Sequence, residues 1–454
     1  MNLPNYFLAD LPREAPLSAA MITDACQSLK ANRERYLAER STQNMIRTLS
    51  DLAQEWLRND YPFRQMVLEF GPNATGFSQP TLSAGLDAFF GRLTQDELHA
   101  LLVQELGHLR RLDDLEKNEL EKKSGRASLV RGPEFLAHIA GGVLPNPTLM
   151  NLILGLLVRS AQFVKCASGA AFIPRMFAHS LYDAEPKLGA CLEIAEWKGG
   201  HAQLESALFA EADCVTATGS DETLTTIRRH VPAKVRFLGF GHRVSFGYIA
   251  HEVLSGFNAK KIVARAADDV VAWDQLGCLS PHVFYVEHGG GLSAEQFAEL
   301  LAETLEQREA IAPRGKLSVE ESAVIAHRRA FYEVRALNSA ETRQWCSRDS
   351  TAWTVVYEAD ARFQLSCLNR FIYVKGVTDL TEALQNADAV RGKISTVGLA
   401  ATEERAQPLT TQLARWGVTR ICPLGQMQNP PLTWRHDGRP SLGDLVTWTD
   451  WEPE

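Results

Sequence analysis

The sequence predicts an α/β protein of two or three domains, and three observations carry that prediction. At 454 residues the chain is long for a single hydrophobic core. From Leu129 onward, short apolar runs are separated by glycine and proline, as in alternating strands and helices. The third observation is the stretch Ala266 to Glu287, AADDVVAWDQLGCLSPHVFYVE, which reads as a helix, a turn and a strand. Ala266, Val270, Val271 and Trp273 fall near helical spacing, Gly277 and Pro281 interrupt it, and His282 to Val286 alternates and is β-rich.

Bulk properties exclude several classes. The formal charge of −8, from 47 basic and 55 acidic residues, gives no general attraction to nucleic acid or to anionic membranes. The eight cysteines are far apart and include no C-x-x-C pair, so reduced thiols in the cytoplasm are expected. MNLPNYFLADLPRE at the start lacks the basic region and apolar core of a signal peptide. Leu149 to Val158, the longest apolar stretch, is closed by Arg159, is too short to cross a bilayer and reads as a buried helix.

Along the chain, residues 17 to 58 predict one or two amphipathic helices, through Tyr36, Leu37, Met45, Ile46, Leu49, Leu52, Trp56 and Leu57. Gly71 to Pro80 reads as a turn-rich break, and Thr94 opens a helix with Asp96 and Glu97 in its first turn, where they favour the dipole. Glu105 and His108 on this helix are spaced to share a metal, but no second clear pair accompanies them, and a solvated face is the simpler reading. Residues 112 to 123, of mixed charge, read as an exposed helix end.

His138 to Pro147 is a glycine and proline loop, and Gln162 to Lys165 a short buried strand ending in a cation. Ala212 to Gly219 reads as a strand that turns at Gly219 and Ser220 into a helix, a common anion-binding unit. No G-x-G-x-x-G occurs. Further on come a helix from Ala294 to about Ile311, the β-rich runs TVVYEA and RFIYVKGV, a strand at Ile394 to Leu399, a helix from Glu403 to Trp416 and the strand VTRICPLG. Trp434, Trp448 and Trp451 suggest a packed or oligomer-facing tail.

Cys278 is the chemically suggestive residue. A thiol between a helix end and a strand can be fixed against a substrate, Gly277 leaves its approach open, and Ser280 and the loop amides are candidate donors to a developing charge. The alternative is a small buried hydrophobe, the usual state of an unbridged cysteine. The form DQ-LGC-SP resembles the acyl-CoA reductase branch of the aldehyde dehydrogenase superfamily, typified by the fatty acid reductase of bacterial luminescence. HIAGGVLPNP at 138 to 147, VKCAS at 164 to 168, TGSDET at 218 to 223, FLGFGHRVSFG at 237 to 247 and HDGRPSLGDLVTWTDWE at 436 to 452 support the resemblance in the family's order.

The resemblance implies an aldehyde dehydrogenase-like fold: helices and a Rossmann-like cofactor domain over 1–247, an α/β catalytic domain over 248–420 and a C-terminal segment over 421–454. It implies Cys278 as nucleophile. Asn146 is either the oxyanion donor of its loop or a turn residue between two prolines. Lys165 takes the position of the cofactor-binding lysine. Ser168 stands where NAD-preferring relatives often carry a glutamate, which permits NADPH and leaves NADH open. Gly219, Ser220, Gly239 and Gly241 complete the cofactor-binding set. Gly239 also occupies the place of the water-activating glutamate of aldehyde-oxidising members, while His242, three residues on, either exchanges a proton with thiol or product or bonds the backbone. Ser366 is the nearest match to a ribose-binding glutamate. The implied activity is reduction of a fatty acyl thioester to an aldehyde, with an oxidative aldehyde dehydrogenase or a non-reducing acyl-holding subunit as alternatives. An acyl-CoA or other activated acyl donor, an acyl-protein synthetase partner and a homo-oligomer are the implied associations.

Overall fold

The computed structural model describes residues 3–12 and 14–453. In chain order the strands are β1 (Ala127–Arg131), β2 (Phe135–Ile139), β3 (Ala161–Cys166), β4 (Leu192–Glu196), β5 (Cys214–Thr218), β6 (Arg236–Phe240), β7 (Val244–Ile249), β8 (Pro281–Glu287), β9 (Thr342–Cys346), β10 (Thr354–Glu358), β11 (Phe371–Val377), β12 (Ile394–Ala400), β13 (Ile421–Pro423) and β14 (Thr447–Trp451). They are distributed between two compact units.

The first unit comprises Met1–Thr75, Leu86–Gly241 and Pro431–Glu454. Its five-stranded sheet runs β4-β3-β2-β5-β6, every pair parallel. Parallel strands are covered on both faces, and these accordingly read as near-continuous apolar runs. One face packs on Ile22, Cys26 and Leu29 of the helix Ala19–Tyr36 and on Leu204 and Leu208. Buried polar side chains tie the strands together: His138 Nδ1 lies 2.7 Å from Thr216 Oγ1, and its Nε2 2.9 Å from Gln162 Oε1. β14 pairs with β1 antiparallel, Ala127 opposite Trp451, and is exposed throughout. Trp448 and Trp451 sit half exposed beneath Arg111 and Lys117.

Two local expectations fail here. The break expected over Gly71 to Pro80 narrows to Gly76–Ser78, because the helix Pro62–Thr75 runs through Pro72 and ends only where Gly76 turns left-handed at φ +84°. The helix end expected over 112–123 is reduced to one turn, Glu121–Ser124. Asn118 Oδ1 accepts from the amides of Leu120 and Glu121, and Asp113 is held by Thr42 and Arg159, so local side-chain bonds replace helical ones.

The second unit comprises Gly76–Gly85 and His242–Pro430. Its seven-stranded sheet runs β13-β12-β7-β8-β11-β10-β9, parallel except for β9 at one edge. The helices Gly256–Val271 and Ala294–Ile311 cover one face through Ile262, Val263, Phe297 and Leu301. On the other face Ile325 and Tyr332 of the helix Val319–Asn338 pack with Leu380, Ala383, Leu409 and Leu413. β7, β8 and β11 are interior strands, and the turn bearing Cys278 opens at the amino end of β8.

Candidate active site

The helix Gly256–Val271 hands over to β8 through a backbone that is unusual for its residues. Trp273, Asp274 and Gln275 are consecutive and left-handed, with φ of +50°, +50° and +65°. Each such non-glycine residue costs about 1–3 kcal/mol, so the run persists only if the surroundings over-determine it. They do. Trp273 is 4% exposed, edge-on to Phe77 at 5.1 Å, and a Cβ at Gly85 would lie 2.1 Å from its indole, so only glycine admits the ring. Asp274 accepts from Gly315 N at 3.0 Å and pairs with the fully buried Arg370 at 2.7 Å. Gln275 Nε2 donates to Pro281 O at 2.7 Å and Phe371 O at 2.9 Å. Arg370 closes a second left-handed run, Leu368, Asn369 and Arg370, and also donates to Glu309 and Ala312 O. The two strained turns brace each other.

Three residues beyond this brace stands Cys278, an exposed thiol. Its carbonyl accepts from Ser245 Oγ of β7 at 2.7 Å, and that oxygen accepts in turn from Thr396 N. Cys26, Cys166, Cys191 and Cys214 are buried instead, and burial pushes each thiol up to about 12. Ser280, expected as a donor to substrate, is turned inward: it is fully buried, its N–H bonds Gly277 O at 2.9 Å and its hydroxyl accepts from Gln428. Ser366 is likewise committed, 9% exposed and bonded to His282 Nδ1 at 3.1 Å through both its N–H and its hydroxyl. His282, which no motif marks in the sequence, is 5% exposed and is pushed down to about 4 by burial and by the charge of His242. His242 itself is exposed, just before β7. Cys278, His242, His282 and Ser366 thus all belong to the amino ends of β7, β8 and β11.

The remaining sequence candidates lie in the first unit, at the carboxyl ends of its sheet. The strand order reverses between β2 and β5, the place where open parallel sheets form a ligand crevice. There the chains approach so closely that a Cβ at Gly141 would lie 2.1 Å from Thr218 O. Gly219 and Ser220 follow β5, and Ser220 caps the helix Asp221–His230 by accepting from Thr223 N. Gly239 lies within β6 and Gly241 directly after it. Lys165, the penultimate residue of β3, is buried at 4% exposed, and burial lowers its pKa against the opposing pull of Glu205. Its ammonium stands 5.9 Å from the Trp197 ring, without an ion pair among the described residues, and the indole Nε1 of Trp197 is buried and also without a partner among them. Two such donors suit the ribose and phosphate oxygens of a dinucleotide. Ser168 is exposed in the turn after β3. Asn146 is the first residue of the helix Asn146–Leu157, and Gly142 turns left-handed before it.

Glu105 and His108 face different partners, Gly443 N for the first and Arg110 N and Glu116 for the second. His251, Glu252 and Glu287 do converge, but Arg405 bonds all three and supplies the cation. Among the described residues no helix is long and apolar enough to cross a membrane.

A parallel dinucleotide-type sheet in one unit and an exposed cysteine before an interior strand of a second are the parts of an aldehyde dehydrogenase fold. A NAD-dependent benzaldehyde dehydrogenase from Corynebacterium glutamicum superposes with a TM-score of 0.69 at 12% identity, covering 96% of this chain and 91% of that one. A bifunctional proline utilization A protein superposes at 0.71 with 16% identity, and this chain, 96% covered, spans 45% of its length. The family model for Acyl-CoA reductase (LuxC) matches residues 37–448, and the chain belongs to that family. The long-chain acyl-protein thioester reductase of Photorhabdus luminescens is 23% identical over 420 residues, 90% of this chain and 82% of the relative.

Proposed function

We propose that this protein reduces a fatty acyl thioester, carried on coenzyme A or on a protein, to the free aldehyde with NADPH, by way of an acyl group held on Cys278. The observation that carries the reading is an exposed thiol on a turn braced from both sides. Family membership supports the thioester substrate, and the name of the Photorhabdus relative supports a protein as one acyl carrier.

The Cys278 thiolate adds to the acyl carbonyl carbon, the carbonyl electrons move to oxygen, and collapse of the adduct expels the carrier thiol. One thioester replaces another, so the step needs positioning more than driving force. Lys165, Ser168, Gly219, Ser220, Gly239 and Gly241 are assigned to hold the nicotinamide cofactor, which when bound supplies the hydride for the acyl carbon. The hemithioacetal on Cys278 then breaks its C–S bond, releasing aldehyde and the thiol. Asp274, the carboxylate nearest Cys278 in sequence, is taken up by Arg370 and is unavailable to activate water, which favours keeping the thioester for reduction. The assignments of Asn146 to the carbonyl oxygen and of His242 to proton exchange belong to the same proposal, as do a synthetase that supplies the acyl group and a homo-oligomeric state.

The test is the product formed from tetradecanoyl-CoA and NADPH. Tetradecanal, with one NADPH oxidised per aldehyde and a loss of at least ~1,000-fold in Cys278→Ala, is expected. Tetradecanoic acid without NADPH oxidation contradicts the reading.

A further inference from the structure

β8 enters the sheet irregularly. Ser245 of β7 stands opposite Pro281, but the next residue, Phe246, stands opposite Val283, so His282 is an extra residue in the ladder. A bulge of this kind frees one side chain from the strand's alternation, and bulges recur beside active sites because they re-aim a group. This one begins three residues after Cys278.

The ring of His282 is fixed by its neighbours. The Ser366 backbone N–H donates to Nδ1 at 3.1 Å, and an amide can only donate, so Nδ1 is the acceptor. In the neutral ring the proton is therefore on Nε2. Burial holds the ring neutral, with its pKa near 4. Nε2 bonds none of the described residues, although His282 is only 5% exposed. With no protein acceptor among the described residues and without being fully buried, Nε2–H is a donor that a bound oxygen can reach at the amino end of β8. The same arrangement excludes His282 as a base for Cys278: Nδ1 accepts from Ser366, and Nε2 already carries its proton.

We infer that His282 donates an Nε2–H hydrogen bond to the acyl carbonyl oxygen as the Cys278 thiolate attacks, an inference that rests on the acyl-transfer reading above. The C–S bond to Cys278 forms, the carbonyl electron pair moves to oxygen, and His282 stabilises that oxygen without giving up its proton. Collapse restores the carbonyl and expels the carrier thiolate, which takes a proton from water. The same donor serves the second oxyanion, formed when hydride reaches the acyl-enzyme.

The test compares two reactions of one thiol in two variants. In His282→Asn the amide oxygen can still accept from Ser366 N–H but nothing reaches the Nε2 position; in His282→Gln the amide nitrogen does reach it. Single-turnover release of CoA from tetradecanoyl-CoA reports acylation, and alkylation by iodoacetamide reports the thiolate in a reaction that forms no oxyanion. We expect acylation to fall ~100-fold in His282→Asn and to stay within about 10-fold of wild type in His282→Gln, with alkylation unchanged within about 2-fold in both. Acylation at the wild-type rate in His282→Asn overturns the inference, and so does a parallel fall in acylation and alkylation, which assigns His282 to the thiol or its turn. Acylation that persists in Cys278→Ala instead refutes the acyl-enzyme reading and is distinguished by that control.

Discussion

Cys278 is held by residues that keep their neighbours left-handed, and those residues are open to single substitutions. Asp274→Asn leaves the buried Arg370 guanidinium with Glu309 but without its second carboxylate and should cost about 1–3 kcal/mol in urea unfolding, with acylation at saturating substrate slowed ~10–100-fold. Unchanged acylation in a destabilised variant would mean that the brace supports the fold alone. At the proposed cofactor end, Ser168→Glu introduces a carboxylate where a 2′-phosphate would lie. It should raise the KM for NADPH about 10-fold or more while altering that for NADH much less, as read from initial rates. Legibility at this scale divides by mechanism. Cys278 was visible because a glycine, a cysteine and a proline interrupt two periodic runs. His282 was not, because its place as an extra residue depends on the register of β7, which lies more than thirty positions upstream and leaves no mark on the alternation of PHVFYVE.

At the scale of elements, strands and helices with strong internal periodicity were legible, and those stabilised by few contacts were not. The helix Ala294–Ile311 matches its expected span because Ala294, Phe297, Ala298, Leu301 and Leu305 form one buried stripe. The helix Val319–Asn338 buries only Ile325 and Tyr332, and its outward face carries exposed Val324, Phe331, Val334 and Leu337, so no single polar and apolar division marks it. The signal that could have found it is the capping box of Ser318 and Glu321. The polar bond across β5, β2 and β3 makes a further prediction. His138 is pushed down to about 4 by burial, so between pH 6.5 and 4 the unfolded chain binds the proton and the folded chain does not. Its contribution is present above pH 6.5 and lost as pH falls toward 4, by at most about 3 kcal/mol. Thermal unfolding of His138→Gln should therefore lose less stability than wild type between pH 7 and pH 4.5; an equal loss would assign the acid sensitivity to other groups. The buried carboxyl of Asp269, raised to about 7, acts with the opposite sign, losing stability as pH rises from 4 toward 7.

For the whole molecule, the sequence indicated an α/β chain of more than one domain, and the aldehyde dehydrogenase fold follows from its solved neighbours. What spacing along the chain could not convey is that residues 76–85, embedded among N-terminal helices, belong to the unit that carries Cys278. Lys316 N bonds Gly76 O at 2.7 Å and Trp273 packs on Gly85, and both contacts join segments nearly two hundred residues or more apart. Such long-range packing has no local signature. The family match spanning 37–448 reaches into both units, and the proposed function accordingly draws Cys278 from one and the cofactor-binding residues from the other.

The most direct test of that assignment is the intact mass of the protein after mixing with tetradecanoyl-CoA, before and after NADPH is added. The account predicts one added acyl group, mapped by peptide mass to Cys278, that disappears with NADPH as tetradecanal forms. An acyl group that maps elsewhere, or one on Cys278 that NADPH leaves in place, would contradict it.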